Sequence, residues 1–188
     1  MLLAAFITLA SSQLLAALLF AALCHELGHY LLLRRLGAEV ELLRITPFGA
    51  EMKVSGRSRL SYGGEILAVA AGPAINLLLA PVLAITGQWW DTIYLFAGAQ
   101  MILGLFNLLP IRPLDGGTLF WLLLAWCIDP FAADRGTRAA EWLMITGLTF
   151  AGVMLWYKTG SPFLLLGAIG AMRSVCVEKK LVKRGRSR

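Results

Sequence analysis

Histidine is nearly missing from this sequence, and charge is thin. Of 188 residues, 2 are histidine; 15% are charged, against 59% hydrophobic. So little charge excludes a soluble globular domain of this length. The three cysteines, Cys24, Cys127 and Cys176, are scattered and odd in number, with no CxxC pair, so they give no disulfide framework. No internal repeat and no low-complexity stretch is visible, which weighs against a transporter built from inverted halves. No charged residue precedes Glu26. The N-terminus also lacks a basic n-region and a small-residue cleavage site followed by polar chain. The first apolar run therefore reads as a structural helix, not a signal peptide.

What is present is a series of apolar runs near the ~20 residues that cross a bilayer. The expectation is an all-α polytopic membrane protein, one domain over 1–188, with about five transmembrane helices. The first covers roughly 3–33, the second Gly64–Ile85, and the third Thr92–Asn107, where Pro110 and Pro113 break it. A shorter helix over Thr118–Ile128 is too short to cross. A polar link, Asp129–Arg138, precedes two more spans at Ala140–Trp156 and Pro162–Val177. Residues 36–59 form a polar loop with a small β-hairpin, strands Val40–Ile45 and Glu51–Val54 flanking Pro47-Phe48-Gly49. The catalytic core falls within about 3–128, with additional helices at 140–177 and a basic tail at 178–188.

The net charge of +6 is concentrated in the 34–59 region and in the tail. Beside apolar helices, Lys and Arg set orientation and meet anionic lipid heads, so no nucleic-acid partner is implied. Both basic regions then face the cytoplasm of a bacterial membrane. Five crossings give the N-terminus outside and the C-terminus inside. Trp89, Trp90, Trp156 and Tyr157 suit the outer interface.

Within the first run stands Cys24-His25-Glu26-Leu27-Gly28-His29. On a helix, His25 and His29 lie one turn apart on one face, so both can reach one metal ion. Glu26 stands beside them. This is the HExxH pattern of zinc hydrolases, two histidine ligands and a glutamate general base. Cys24 points about 100° away from His25 and reads as an apolar filler. Catalytic zinc takes three protein ligands, and ionisable groups in lipid are functional candidates by default. Glu65 and Asp91 sit at helix ends, and Asp129 and Glu141 flank the polar link. Asp115 stands apart, past a proline-broken helix and ahead of Gly116-Gly117, whose bare backbones allow close approach. The chemistry implied is peptide hydrolysis. One zinc ion acidifies water and polarises the carbonyl, while Glu26 moves a proton to the leaving amine.

Taken in order, His25-Glu26-Leu27-Gly28-His29, Pro47-Phe48-Gly49, Ala71-Gly72-Pro73 and the run Phe106 to Gly117 (FNLLPIRPLDGG) resemble the site-2 protease family of intramembrane zinc metalloproteases. The nearest pattern is the branch of stage IV sporulation protein FB. The resemblance covers about residues 15–125. It implies zinc held by His25, His29 and Asp115, Glu26 as catalytic base, and cleavage in or near the transmembrane segment of another membrane protein. Regulated release of a transcription regulator, such as a sigma factor or its inhibitor, is the expected context. The branch's extra leading span and CBS domain, and the PDZ domain of other branches, are not in this sequence, and Ala50 stands where a second glycine often follows Pro-Phe-Gly.

Candidates for substrate positioning are Asn76, in an Ala-Gly-Pro-x-x-Asn pattern, Phe48 and Gly49 at the hairpin, which could add an edge to an unwound substrate, and Asn107. For Asn76 the alternative is interhelical hydrogen bonding. The alternative function is a non-catalytic, chaperone-like membrane binding protein that keeps the protease fold.

Overall fold

The computed structural model describes residues 11–46, 49–55, 60–112 and 114–159. Expectations for residues 1–10, Phe48, the 162–177 span and the basic tail lie outside them. The described elements are α1 (Ser12–Arg35), β1 (Glu39–Thr46), β2 (Gly49–Ser55), α2 (Tyr62–Thr86), α3 (Asp91–Asn107), α4 (Asp115–Cys127) and α5 (Pro130–Thr159). The chain divides into two compact units, 1–107 and 108–188.

In the first unit, serines start two helices. Ser11 Oγ accepts from the Leu14 amide at 3.3 Å, and Ser61 Oγ from the Gly64 amide at 3.2 Å, each satisfying a donor that the helix itself leaves open. Helix α1 ends in a Schellman turn. Gly37 takes φ +80°, its amide donates to Arg34, and the Ala38 amide returns to Leu33. Leu33 and Ala38 then pack with Ala68, Leu36 and Leu60, joining the end of α1 to the start of α2. Strands β1 and β2 pair antiparallel from Glu39 opposite Ser55 to Thr46 opposite Gly49, with a bulge between Val40 and Leu42.

The helices of this unit meet through small residues. Ala17, Ala21 and Ala99 form one buried cluster, closed by Leu18, Leu95, Phe96 and Leu103. At Gly28 a Cβ would stand 2.7 Å from the Ala71 carbonyl oxygen and 3.1 Å from the Gly72 Cα. Backbone therefore rests on backbone where α1 crosses α2, as small residues allow in lipid. Pro73 and Pro81 lie inside α2. Each withholds one helical N–H.

The second unit departs from the sequence expectation in two places. The short helix begins at Asp115, not Thr118, so the carboxylate stands in a helical first turn, where the helix dipole favours it. Gly116 and Gly117 do not end a helix. A Cβ on Gly116 would strike the Leu108 carbonyl, and one on Gly117 would come within 2.7 Å of the Arg112 nitrogen. The glycines let the chain from Leu108 to Arg112 fold back on the first turn of α4.

Asp129–Arg138 is also not a loop, because one helix runs from Pro130 to Thr159. Asp129 starts it by accepting from the Phe131 and Ala132 amides at 2.7 and 2.9 Å. Pro130 occupies the first helical position, where its missing N–H costs nothing. Glu141, which the sequence reading placed beside a polar link, is buried at 5% exposure. The core of this unit is Ile111 on Ile145, with Leu109, Leu114, Met144 and Leu148 around them.

Three described helices, Ser12–Arg35, Tyr62–Thr86 and Pro130–Lys158, are long and apolar enough to cross a membrane. Their outer faces are apolar too, with Leu23, Leu78 and Leu143 each about 70% exposed or more. Such side chains face lipid at no cost in solvation. The chain is an integral, mainly helical membrane protein. Trp89 and Trp90 are exposed at the turn between α2 and α3.

Candidate metal centre

Helix α1 brings His25 and His29 to its inner side and leaves Leu23, Leu27 and Leu31 exposed. His25 is buried; His29 and Glu26 are half-buried. The two Nε2 atoms face each other at 3.2 Å, and the rings meet edge to face.

Each ring is fixed from behind by its other nitrogen. His29 Nδ1 lies 2.8 Å from the Ala68 carbonyl oxygen. A carbonyl only accepts, so Nδ1 carries the proton. His25 Nδ1 lies 2.8 Å from Asn76 Oδ1. The Asn76 amide nitrogen donates to the Ala21 carbonyl at 3.0 Å and to Gln100 Oε1. The oxygen of Asn76 therefore faces His25, and His25 Nδ1 is again the donor.

In the tautomer with the proton on Nδ1, Nε2 is the atom of each ring that can give a lone pair to a metal. Two nitrogens about 2.0–2.1 Å from one tetrahedral zinc stand about 3.3–3.4 Å apart, so the observed pair fits a single ion. Second partners that fix the tautomer and aim the ring are the usual support of a metal-binding histidine.

Room for the second ring depends on a glycine. A Cβ on Gly72 would collide with the His29 imidazole. The Ala71-Gly72-Pro73 segment thus has two direct duties. Ala71 seats α1 at Gly28, and Gly72 leaves space for the ligand. Glu26, next to His25, is displaced about 100° around the helix.

Asp115, in the second unit, is half-buried at the start of α4. Asn107 turns its amide back on its own helix, donating to the Leu103 carbonyl at 3.1 Å. Gly49 opens β2 opposite Thr46. Asn76 serves His25, with both its amide hydrogens and its oxygen engaged within the protein. Sequence reading missed the Ala68 carbonyl and Gln100. A backbone acceptor carries no sequence signal, and one glutamine in an apolar run points to no partner.

Paired imidazoles on an HExxH helix, inside a helical membrane protein, define the class as a membrane protein with a metal-binding motif buried among its helices. The chain belongs to peptidase family M50, whose family model matches residues 13–89 and 83–151; the family is zinc-dependent, and several of its relatives are named zinc metalloproteases. A zinc metalloprotease of Methanocaldococcus jannaschii is 28% identical over 173 residues, 86% of this chain and 50% of its own. Stage IV sporulation protein FB of Bacillus subtilis is 32% identical over 118 residues, 59% of this chain and 40% of its own. Among solved structures, a site-2 protease from Methanocaldococcus jannaschii shares the fold with a TM-score of 0.66. It is 22% identical, over 92% of this chain and 83% of that one. The chain thus spans half or less of these curated relatives' length.

Proposed function

We propose that this chain is an intramembrane zinc endopeptidase that cuts a peptide bond in or near the transmembrane segment of another membrane protein. The observation that carries it is the pair of Nε2 atoms 3.2 Å apart, both aimed by Nδ1 hydrogen bonds, on the helix that bears Glu26. In this reading His25 and His29 supply two ligands and Asp115 the third. Asp115 is supported by its place in a helical first turn, behind a chain segment folded tightly over Gly116 and Gly117. A single catalytic domain is part of the proposal, supported by a family match that runs through both compact units.

A zinc ion held there would supply the Lewis acidity that activates water and polarises a peptide carbonyl. Glu26 takes the proton from water and returns it to the departing amine. The hydrogen bonds from Nδ1 to Asn76 and Ala68 fix the tautomer and aim Nε2 of His25 and His29 as the ligand atoms. The apolar surroundings strengthen each of these electrostatic contacts.

The proposed substrate is a membrane-tethered protein, with a transcription regulator such as a sigma factor or its inhibitor as the finer reading; that refinement rests on the family resemblance alone. The proposed orientation places residues 36–59 and the tail in the cytoplasm, the N-terminus outside, and rests on the distribution of Lys and Arg. Labelling of single cysteines in either segment by an impermeant reagent from the outside would overturn it.

The deciding experiment compares membrane and released proteins in cells carrying the wild-type chain or Glu26→Gln. Accumulation of an uncut single-span protein in the mutant, with zinc still bound, supports the peptidase. Identical proteomes across growth conditions would favour the non-catalytic, chaperone-like reading.

A further inference from the structure

Gln100 lies in the middle of α3, wholly buried. Its Oε1 accepts from the Asn76 amide. Its Nε2 has no protein acceptor among the described residues. A leucine would suit this helix and would leave no buried donor, a group that costs about 1–3 kcal/mol when unsatisfied. Among the described residues the glutamine brings one polar contact that a leucine lacks, its oxygen against Asn76.

That contact bears on His25. The Asn76 amide could be placed in two ways, exchanging oxygen and nitrogen. Observed, its nitrogen faces the Ala21 carbonyl and Gln100 Oε1, and its oxygen faces His25 Nδ1. Exchanged, its oxygen would meet two other oxygens, and its nitrogen would offer a hydrogen to His25 Nδ1. The imidazole would then have to bear its proton on Nε2, the atom that faces His29. The Ala21 carbonyl alone opposes the exchange with one oxygen–oxygen contact. Gln100 adds a second.

We infer that Gln100 is a positioning residue for the metal site, acting on His25 through the amide of Asn76. Three helices are linked in the order Gln100 on α3, Asn76 on α2 and His25 on α1. The oxygen that the glutamine presents at the start adds to the Ala21 carbonyl in fixing the Asn76 amide, and so the tautomer of the ring at the end. The inference rests on the reading of His25 and His29 as metal ligands.

The test uses the full chain in detergent and measures the zinc dissociation constant by competition with a chelating dye. Visible spectra of the cobalt(II) form report the ligand field. Gln100→Leu and Gln100→Met are expected to weaken zinc about tenfold and to alter the cobalt spectrum. Gln100→Glu, which keeps an oxygen towards Asn76, is expected to stay within about threefold of wild type. In an Asn76→Ala background, Gln100→Leu should add no further loss, since the relay is already cut. Wild-type affinity in both apolar variants, whatever their thermal stability, overturns the inference, as does an equal loss in Gln100→Glu. His25→Ala separates the two levels. If it retains wild-type zinc affinity, the metal-site reading itself fails. If it loses zinc while the Gln100 variants keep it, only the role of Gln100 fails.

Discussion

The amide of Arg112 donates to the carboxylate of Glu141 at 3.2 Å, and the Arg112 guanidinium lies 3.8 Å from the same oxygen. One buried glutamate on α5 thus holds both the backbone and the side chain of the segment that leads into Asp115. Asp134, one end of the same ion cluster, accepts from the Trp121 indole at 2.8 Å and stands 3.8 Å from Arg112. The cluster ties α4, α5 and the Leu108–Arg112 segment into one body.

Glu141→Ala should therefore lower stability by about 1–3 kcal/mol, the cost of leaving the Arg112 amide without its acceptor. Glu141→Gln, which keeps an oxygen for that amide, should cost less than half as much. Denaturation of the purified chain in detergent measures both. Equal stability of wild type and Glu141→Ala would show that the segment is held by apolar packing of Ile111 alone.

Gly72→Ala and Gly28→Ala should separate ligand from scaffold. The methyl at Gly72 meets the His29 ring, so zinc affinity should fall by tenfold or more. The methyl at Gly28 meets the Ala71 carbonyl, so stability should fall by about 1–3 kcal/mol as α1 and α2 are forced apart. Titration with zinc and thermal melting, run on both variants, read the two effects.

Removing the metal should abolish cleavage without unfolding the chain. The imidazoles are held from behind by Ala68 and Asn76, so chelation should leave helical circular dichroism unchanged. Activity on a transmembrane substrate should return on adding one equivalent of zinc. Glu26→Gln should bind zinc as the wild type does and lose at least about 100-fold in rate.

Asp129→Ala should be costly only locally. It removes the acceptor for two amides at the start of α5 and should lower stability by about 1 kcal/mol. Zinc affinity should not change. A shift in affinity would mean that the start of α5 communicates with the metal site.

The HExxH pair was legible because two histidines four apart have one simple geometric meaning on a helix. The start and end of α2 and α3 were legible within two residues, since apolar runs flanked by Ser61, Gly87 and Asp91 leave little freedom. The stretch Asp129–Arg138 was misread because four charges in ten residues lower its hydropathy. Helix formation there depends on Asp129 and Pro130 at the start and on Glu141 finding Arg112, a pairing 29 residues apart. Gln100 was invisible for the same reason, since its partner lies 24 residues away. Sequence periodicity reports which face is apolar; it does not report which polar atom another helix will offer.

The seat of Gly28 on Ala71 has one more consequence. In lipid, apolar side chains gain nothing by preferring a neighbouring helix to an acyl chain, so two smooth helices could slide past each other at little cost. Here a slide of one turn along α2 would bring a side chain, that of Ala68 or Val69 on one side or of Ile75 or Asn76 on the other, to the place that only Gly72 can occupy beside His29. The bare glycine therefore acts as an index mark, and α1 and α2 can mesh at a single notch.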